Sequence, residues 1–201
     1  MTLPILRRDF IKSSAALLLF PSSPMKKMAP KSGDIILGHG SFRYKVVPNW
    51  GLLDAGKNPV NDCHEMVEDA KGRLILLTNE TKNNVLIYDK SGRLLDSWGN
   101  SYPGAHGLTI LNEGEKQFLL ICDNTRHQVI KTDLKGREIF KIEYPRESGV
   151  YDHPHQFVPT ETAVNPKNGD IYVADGYGAN YIIQYDSQGR YIRHFGGFTP
   201  G

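Results

Sequence analysis

Histidine, tyrosine and carboxylate side chains recur at matching places along this 201-residue chain. His64-Glu65-Met66-Val67, His106-Gly107-Leu108-Thr109 and Thr160-Glu161-Thr162-Ala163 open three segments of similar pattern, which aligns His64, His106 and Thr160. A neutral imidazole offers a lone pair to a divalent cation, so His64 and His106 are candidate metal ligands. A catalytic zinc takes about three protein ligands and one open position, so this pair falls short of a complete site. The other reading is that both histidines line a channel and hydrogen-bond to water or carboxylates. Glu65 and Glu161 follow His64 and Thr160 at equivalent places. Strand alternation turns each away from the residue before it, which reads as polar contact between repeats. Tyr177, in Asp175-Gly-Tyr-Gly-Ala-Asn180, lies between two glycines that let a loop turn tightly. Its phenol is a general acid or base where a cation lowers its pKa, or otherwise an aromatic lid. Asp123 and Asp175 end strand-like runs and read as turn caps. His153 and His155 are one residue apart, and an extended strand would send them to opposite sides with no shared metal. His39, His127 and His194 show no evident partner.

The elements that must position these residues come from internal repetition. Leu74-Ile-Leu-Leu77, Phe118-Leu-Leu-Ile-Cys122 and Ile171-Tyr-Val-Ala174 are short apolar runs that suit strands buried on both faces. Turn pairs Lys71-Gly72, Ser91-Gly92, Lys135-Gly136, Asn168-Gly169 and Gln188-Gly189 punctuate them. After the leader no segment sustains a 3.6-residue period. Four short strands per unit of about 40–50 residues indicate a β-propeller. The fold expected is all-β, with four-stranded blades at about 64–99, 106–144 and 160–196. Propellers close with about 4–8 blades. The chain is therefore expected to be the N-terminal part of a roughly six-bladed ring, with residues 31–201 forming the partial propeller. In a propeller the entrances of the inner strands surround one axial channel, so His64, His106 and Thr160 are expected at one mouth.

The net charge of +2 is uneven. Residues 1–30 carry five basic side chains against Asp9, and the remainder is slightly acidic. No basic face remains to suggest a nucleic-acid partner. Cys63 and Cys122 lack metal-site spacing and, set in strand-like runs, read as thiols rather than a bridge. Residues 5–20 place a basic head before a short apolar run, the anatomy of an export leader. Arg7-Arg8-Asp9-Phe10-Ile11-Lys12 resembles a twin-arginine signal, which implies the Tat translocase as an export partner and a periplasmic or secreted destination.

Pro159-Thr-Glu-Thr-Ala-Val-Asn-Pro-Lys-Asn-Gly-Asp-Ile-Tyr-Val-Ala-Asp-Gly-Tyr177, followed by Ile182-Ile-Gln-Tyr-Asp186, resembles an NHL repeat. Residues 34–201 resemble bacterial six-bladed NHL propellers and the lyase domain of peptidylglycine α-amidating enzymes. That lyase family holds zinc through three histidines at inner-strand starts, and the resemblance places His106 at the first of these. Ala105 stands where the family has proline. Leu108 matches a backbone carbonyl that binds a structural calcium, and Tyr177 matches a catalytic tyrosine. Two departures stand out. Gly178 replaces the half-cystine beside that tyrosine, and Val60-Asn-Asp-Cys-His64 lacks the family's substrate arginine. The other two zinc histidines of the family would lie beyond residue 201.

The function expected is an exported propeller with zinc-dependent, lyase-like chemistry on a small or peptide-derived substrate. The alternative is a non-catalytic scaffold that holds a ligand or protein partner at the channel mouth. No phosphate-cradling loop, nucleophile elbow or zinc-protease helix motif is present to suggest another enzyme class.

Overall fold

The computed structural model describes residues 33–198, so residues 1–30, where an export leader is expected, lie outside the described residues. The described chain divides into two compact units, one ending at Val47 and one beginning at Pro48. The first holds the antiparallel hairpin β1 (Ile36–His39) and β2 (Phe42–Lys45). Its ends are joined by an ion pair of 2.8 Å between Lys45 and Asp34.

The second unit contains three four-stranded antiparallel sheets, each built in sequence order. The first comprises β3 (Cys63–Glu68), β4 (Leu74–Thr78), β5 (Val85–Tyr88) and β6 (Leu94–Trp98). The second comprises β7 (Ala105–Glu113), β8 (Lys116–Asp123), β9 (Gln128–Asp133) and β10 (Glu138–Ile142). The third comprises β11 (Glu161–Val164), β12 (Ile171–Ala174), β13 (Tyr181–Tyr185) and β14 (Tyr191–Gly196). The leading strands β3 and β11 both pack against β7. These sheets are successive blades of a partial β-propeller. Two single-turn 3-10 helices, Arg146–Ser148 and Pro154–Gln156, interrupt the link between the second and third blades. Among the described residues no helix is long and apolar enough to cross a membrane.

Two apolar cores hold the blades together. One gathers Ile75, Leu77, Val85, Ile87, Leu119, Ile121 and Ile130 between the first and second blades. The other gathers Leu120, Cys122, Val129, Phe157, Ile171, Val173 and Ile183 between the second and third. Successive residues of a strand point to opposite faces, so β8 sends Leu119 and Ile121 one way and Leu120 and Cys122 the other. That is why its apolar run is continuous rather than alternating. Burying each such side chain contributes about 1.5–3 kcal/mol.

A single turn design recurs four times at the outer ends of the sheets. Asp69, Asp89, Asp133 and Asp186 each accept backbone N–H bonds from two and four residues ahead through Oδ1. Oδ2 of each accepts Nε of Arg73, Arg93, Arg137 or Arg190 at 2.6–3.2 Å. Burial alone would raise the Asp69 carboxyl, but the bonds and charge from Arg73 and the Lys71 N–H outweigh it and hold it below its ordinary value. Asp89 is pulled down to about 2, chiefly by the Ser91 hydroxyl. The glycine inside each turn has positive φ, as at Gly92 (+87°), where a Cβ would strike the Trp50 carbonyl.

Candidate active site at the inner-strand entrances

The two histidines owe their orientation to irregularities in their strands. In β3 the pairing with β4 steps from Cys63–Thr78 to Glu65–Leu77, which leaves His64 as the extra residue. In β7 the pairing with β8 steps from Ala105–Asp123 to Leu108–Ile121 across His106 and Gly107. A bulge re-aims the side chain it carries and breaks the in-and-out alternation. Here both bulges turn imidazoles to the same mouth. The rings of His64 and His106 stack with centroids 4.0 Å apart and planes 24° from parallel. His64 is exposed and His106 is half-buried.

Each nitrogen of His106 has a defined neighbour. Nδ1 lies 2.9 Å from the Thr160 carbonyl oxygen. A carbonyl only accepts, so Nδ1 carries the proton and Nε2 presents its lone pair. Nε2 lies 3.2 Å from the Tyr177 hydroxyl, which donates to it, and the rings meet edge to face at 5.1 Å. The structure thus brings His106 together with His64 and Thr160, which the repeat register aligns, and with Tyr177 from the loop after β12. Thr160 contributes its main chain rather than its side chain, since its hydroxyl bonds to the Ala174 carbonyl at 3.3 Å.

Close packing of blades two and three sets this geometry. Gly107 stands where a Cβ would meet the Thr160 carbonyl oxygen, and the Glu161 Cα at 2.8 Å. Below the histidines, Thr109 Oγ1 donates to the Thr162 carbonyl at 2.7 Å and accepts the Thr162 hydroxyl at 2.7 Å. Glu161 Oε1 accepts the Thr162 N–H at 2.7 Å. Burial, followed by the charge of Glu161 and a hydrogen bond to it, raises Glu65, while His106 draws it back down. Glu65 and Glu161 therefore meet across β7 as a contact between blades.

The loop from Asp175 to Asn180 carries Tyr177 into the mouth. Neither Gly176 nor Gly178 has positive φ; the left-handed residue is Asn180 (+63°). The glycines are needed for space rather than for turning. A Cβ on Gly176 would meet Thr160 Oγ1 at 2.5 Å, and one on Gly178 would overlap Asp175 Oδ1 and the Gln156 carbonyl. Asp123 and Asp175 are both fully buried and cap their loops as expected. Asp123 Oδ1 accepts N–H bonds from Gly104, Thr125 and Arg126, and burial raises its carboxyl above the usual range despite them.

Other histidines depart from the sequence reading. His153 and His155 flank Pro154 at a 3-10 turn instead of lying in a strand, so their rings stack at 5.4 Å on one side. His127 bonds to the Phe157 carbonyl through Nδ1 at 2.8 Å, and His194 Nδ1 lies 2.7 Å from the Tyr191 hydroxyl. Both cysteines are free; Cys122 is buried, whereas Cys63, at the start of β3, is exposed. Tyr151 gave no sign in the sequence, yet its hydroxyl donates to Asp175 Oδ2 at 2.8 Å beneath the Tyr177 loop.

The donor set bears on a metal in part. An imidazole whose Nδ1–H is held by a backbone carbonyl and whose Nε2 keeps its lone pair is the arrangement a metal-binding histidine adopts, and an ion at His106 would take the place of the Tyr177 hydroxyl on Nε2. His106 meets it, and the His64 ring stands beside it. Leu108 has its side chain in the core, and a leucine could offer a cation only its main-chain oxygen. Among the described residues no group of three or more histidine, cysteine or carboxylate side chains is arranged to hold an ion.

The sequence is similar to those of amidating lyases. It is 31% identical over 170 residues to a probable peptidyl-α-hydroxyglycine α-amidating lyase of Caenorhabditis elegans, covering 84% of this chain and 43% of that one. It is 29% identical over 124 residues to a peptidyl-glycine α-amidating monooxygenase of Mus musculus, covering 60% of this chain and 12% of that one. A monooxygenase A of the same name from Xenopus laevis is 34% identical over 119 residues, covering 57% of this chain and 12% of that one. The chain thus spans less than half the length of these relatives. Among solved structures, a streptogramin B lyase superposes with a TM-score of 0.52 at 15% identity, covering 69% of this chain and 41% of that one, which bears on the fold alone. No family model matches the chain.

Proposed function

We propose that this chain carries part of the active site of an exported, metal-dependent lyase that acts on peptides ending in α-hydroxyglycine. The observation that carries the reading is His106 bonded on one side to the Thr160 carbonyl and on the other to the Tyr177 hydroxyl. The similarity to amidating lyases supports the substrate class.

An α-hydroxyglycine residue is a carbinolamide, with a hydroxyl and the amide nitrogen on one carbon. Removing the hydroxyl proton lets that oxygen form a carbonyl as the carbon–nitrogen bond breaks. The nitrogen leaves with the bonding pair and takes up a proton, giving a peptide amide and glyoxylate. The chain's own part is the proton. Tyr177 is 65% exposed, so its oxygen can reach a substrate at the mouth; as the phenolate, its own proton having passed to solvent, it would accept the substrate hydroxyl proton and return that proton to the leaving nitrogen. His106 orients the phenol. A zinc ion held by His106 and His64 would take the Nε2 lone pair in place of the Tyr177 hydroxyl, polarise the substrate oxygen and make the neighbouring phenol more acidic. A structural calcium at the Leu108 carbonyl belongs to the same reading.

The test measures bound zinc and turnover of an α-hydroxyglycine peptide in the purified protein. His106→Ala is expected to lose both, and Tyr177→Phe to lose turnover while keeping zinc. Unchanged zinc and turnover in His106→Ala would overturn the lyase reading and favour a binding scaffold with a partner at the mouth. Export through the Tat translocase is tested by Arg7→Lys with Arg8→Lys, which is expected to retain the protein in the cytoplasm; undiminished export would refute it.

A further inference from the structure

We propose that Asp175 and Tyr151 are positioning residues for Tyr177, forming a buried clasp that sets the phenol on His106. The catalytic consequence rests on the lyase reading above, but the clasp is a matter of geometry and stands or falls separately.

Asp175 directly follows β12 and is completely buried. Its Oδ2 accepts the Ala179 N–H at 2.7 Å, which closes the loop carrying Tyr177. The Asn180 N–H closes the same loop onto the Asp175 carbonyl at 3.1 Å. Its Oδ1 accepts the Val158 N–H at 2.7 Å, in the segment that leads to Thr160. One carboxylate therefore ties down both the loop that presents the phenol and the strand entrance whose carbonyl orients His106.

Tyr151 approaches from the core side. Its hydroxyl donates to Asp175 Oδ2, and its ring packs edge to face on Phe157 and Tyr181 at 5.8 and 6.1 Å. Burial, with the bond to Asp175, raises this phenol well above its ordinary value, so it remains a donor. The neighbouring blade supplies a comparison. Asp123 occupies the same place at the end of β8 and builds its loop with backbone donors alone, its Oδ2 having no hydrogen-bond partner among the described residues. Holding such a loop therefore does not require a tyrosine. The added hydroxyl occurs in the blade whose loop carries Tyr177. That side chain is largely exposed, so the backbone of its loop fixes where the phenol sits.

Nuclear magnetic resonance of the full chain labelled with 15N-histidine tests the clasp without metal or substrate. The Nε2 shift of His106 reports whether its lone pair accepts a hydrogen bond. Tyr177→Phe removes the donor and fixes the unbonded position. Tyr151→Phe, which keeps the ring and its packing, is expected to move the signal toward that position. Asp175→Asn is expected to do the same; if it fails to fold, Tyr151→Phe decides. Asp123→Asn is expected to leave the signal in place. The clasp is overturned if Tyr151→Phe leaves His106 at its wild-type position, if Asp123→Asn moves it equally, or if Tyr177→Phe moves nothing. Loss of the lyase reading through active His106→Ala protein would leave these outcomes intact.

Discussion

Gly107→Ala tests how closely the second and third blades must approach for the site to exist. An added Cβ would stand 2.8 Å from the Glu161 Cα, whereas ordinary contact begins at 3.4 Å, and it would overlap the Thr160 carbonyl oxygen more severely. Both obstacles are main chain of a neighbouring strand, so no side-chain rotation relieves them. The strands must separate, and overpacking of this kind costs ~1–3 kcal/mol. Separation by roughly 1 Å would also stretch the 2.9 Å bond from His106 Nδ1 to Thr160 beyond hydrogen-bonding range, a loss of about 1 kcal/mol. The expected total is about 3 kcal/mol, which lowers the melting midpoint by roughly 6–12 °C in a protein of this size. Thermal melts and urea titrations followed by circular dichroism measure the stability. The 15N shifts of His106 show whether Nδ1 keeps its proton. A variant that stays within about 0.5 kcal/mol of wild type and keeps the same tautomer would refute the account of how the blades set the site.

Phe157→Ala empties a fully buried position between the second and third blades and is expected to cost about 3–5 kcal/mol, read from the urea midpoint. Asp69 is held below its ordinary value in the folded chain, so its contribution is present above pH ~4 and is lost as pH falls through the folded value. The stability gap between wild type and Asp69→Asn should therefore close on acidification below pH ~4, and a gap that stays constant in denaturation curves from pH 6 to 2.5 would contradict this. A thiol reagent at neutral pH should label exposed Cys63 in the folded protein and reach Cys122 only with denaturant, because Cys122 is buried and its thiol is raised by burial; mass spectrometry identifies the modified residue.

The blades were readable in the sequence because they repeat. Apolar runs such as Leu74–Leu77 and turns such as Lys135-Gly136 recur in phase, and the sheets follow them. The alignment of His64 with His106 was readable for the same reason. The bulges that turn both rings to one mouth were not, because an extra residue leaves the apolar pattern almost unchanged. Gly107 carried a signal, a glycine inside a strand, which marks close backbone approach. Tyr151 carried none. It lies between the repeats in sequence and meets Asp175 only through the packing of Phe157 and Tyr181. The stacking of His153 on His155 was not readable because the turn that begins at Pro154 breaks the alternation of an extended chain.

The two-sided burial of the inner strands has a consequence for how the chain finds its alignment. In a sheet with one wet face, slipping by one residue exposes every apolar side chain, and that penalty locks the pairing. A slip of β8 would merely exchange Leu119 and Ile121 with Leu120 and Cys122, one apolar set for another. Hydrophobicity is nearly blind to this error. The information that selects the correct pairing must reside elsewhere, and for the β3–β4, β5–β6, β9–β10 and β13–β14 hairpins the aspartate–arginine turns are placed to supply it. Each pins one hairpin at a fixed residue through a carboxylate that no neighbouring position can replace. The four turn aspartates thus act as an addressing system for the strands, and their loss would be felt as misaligned blades during folding as well as missing energy in the finished structure.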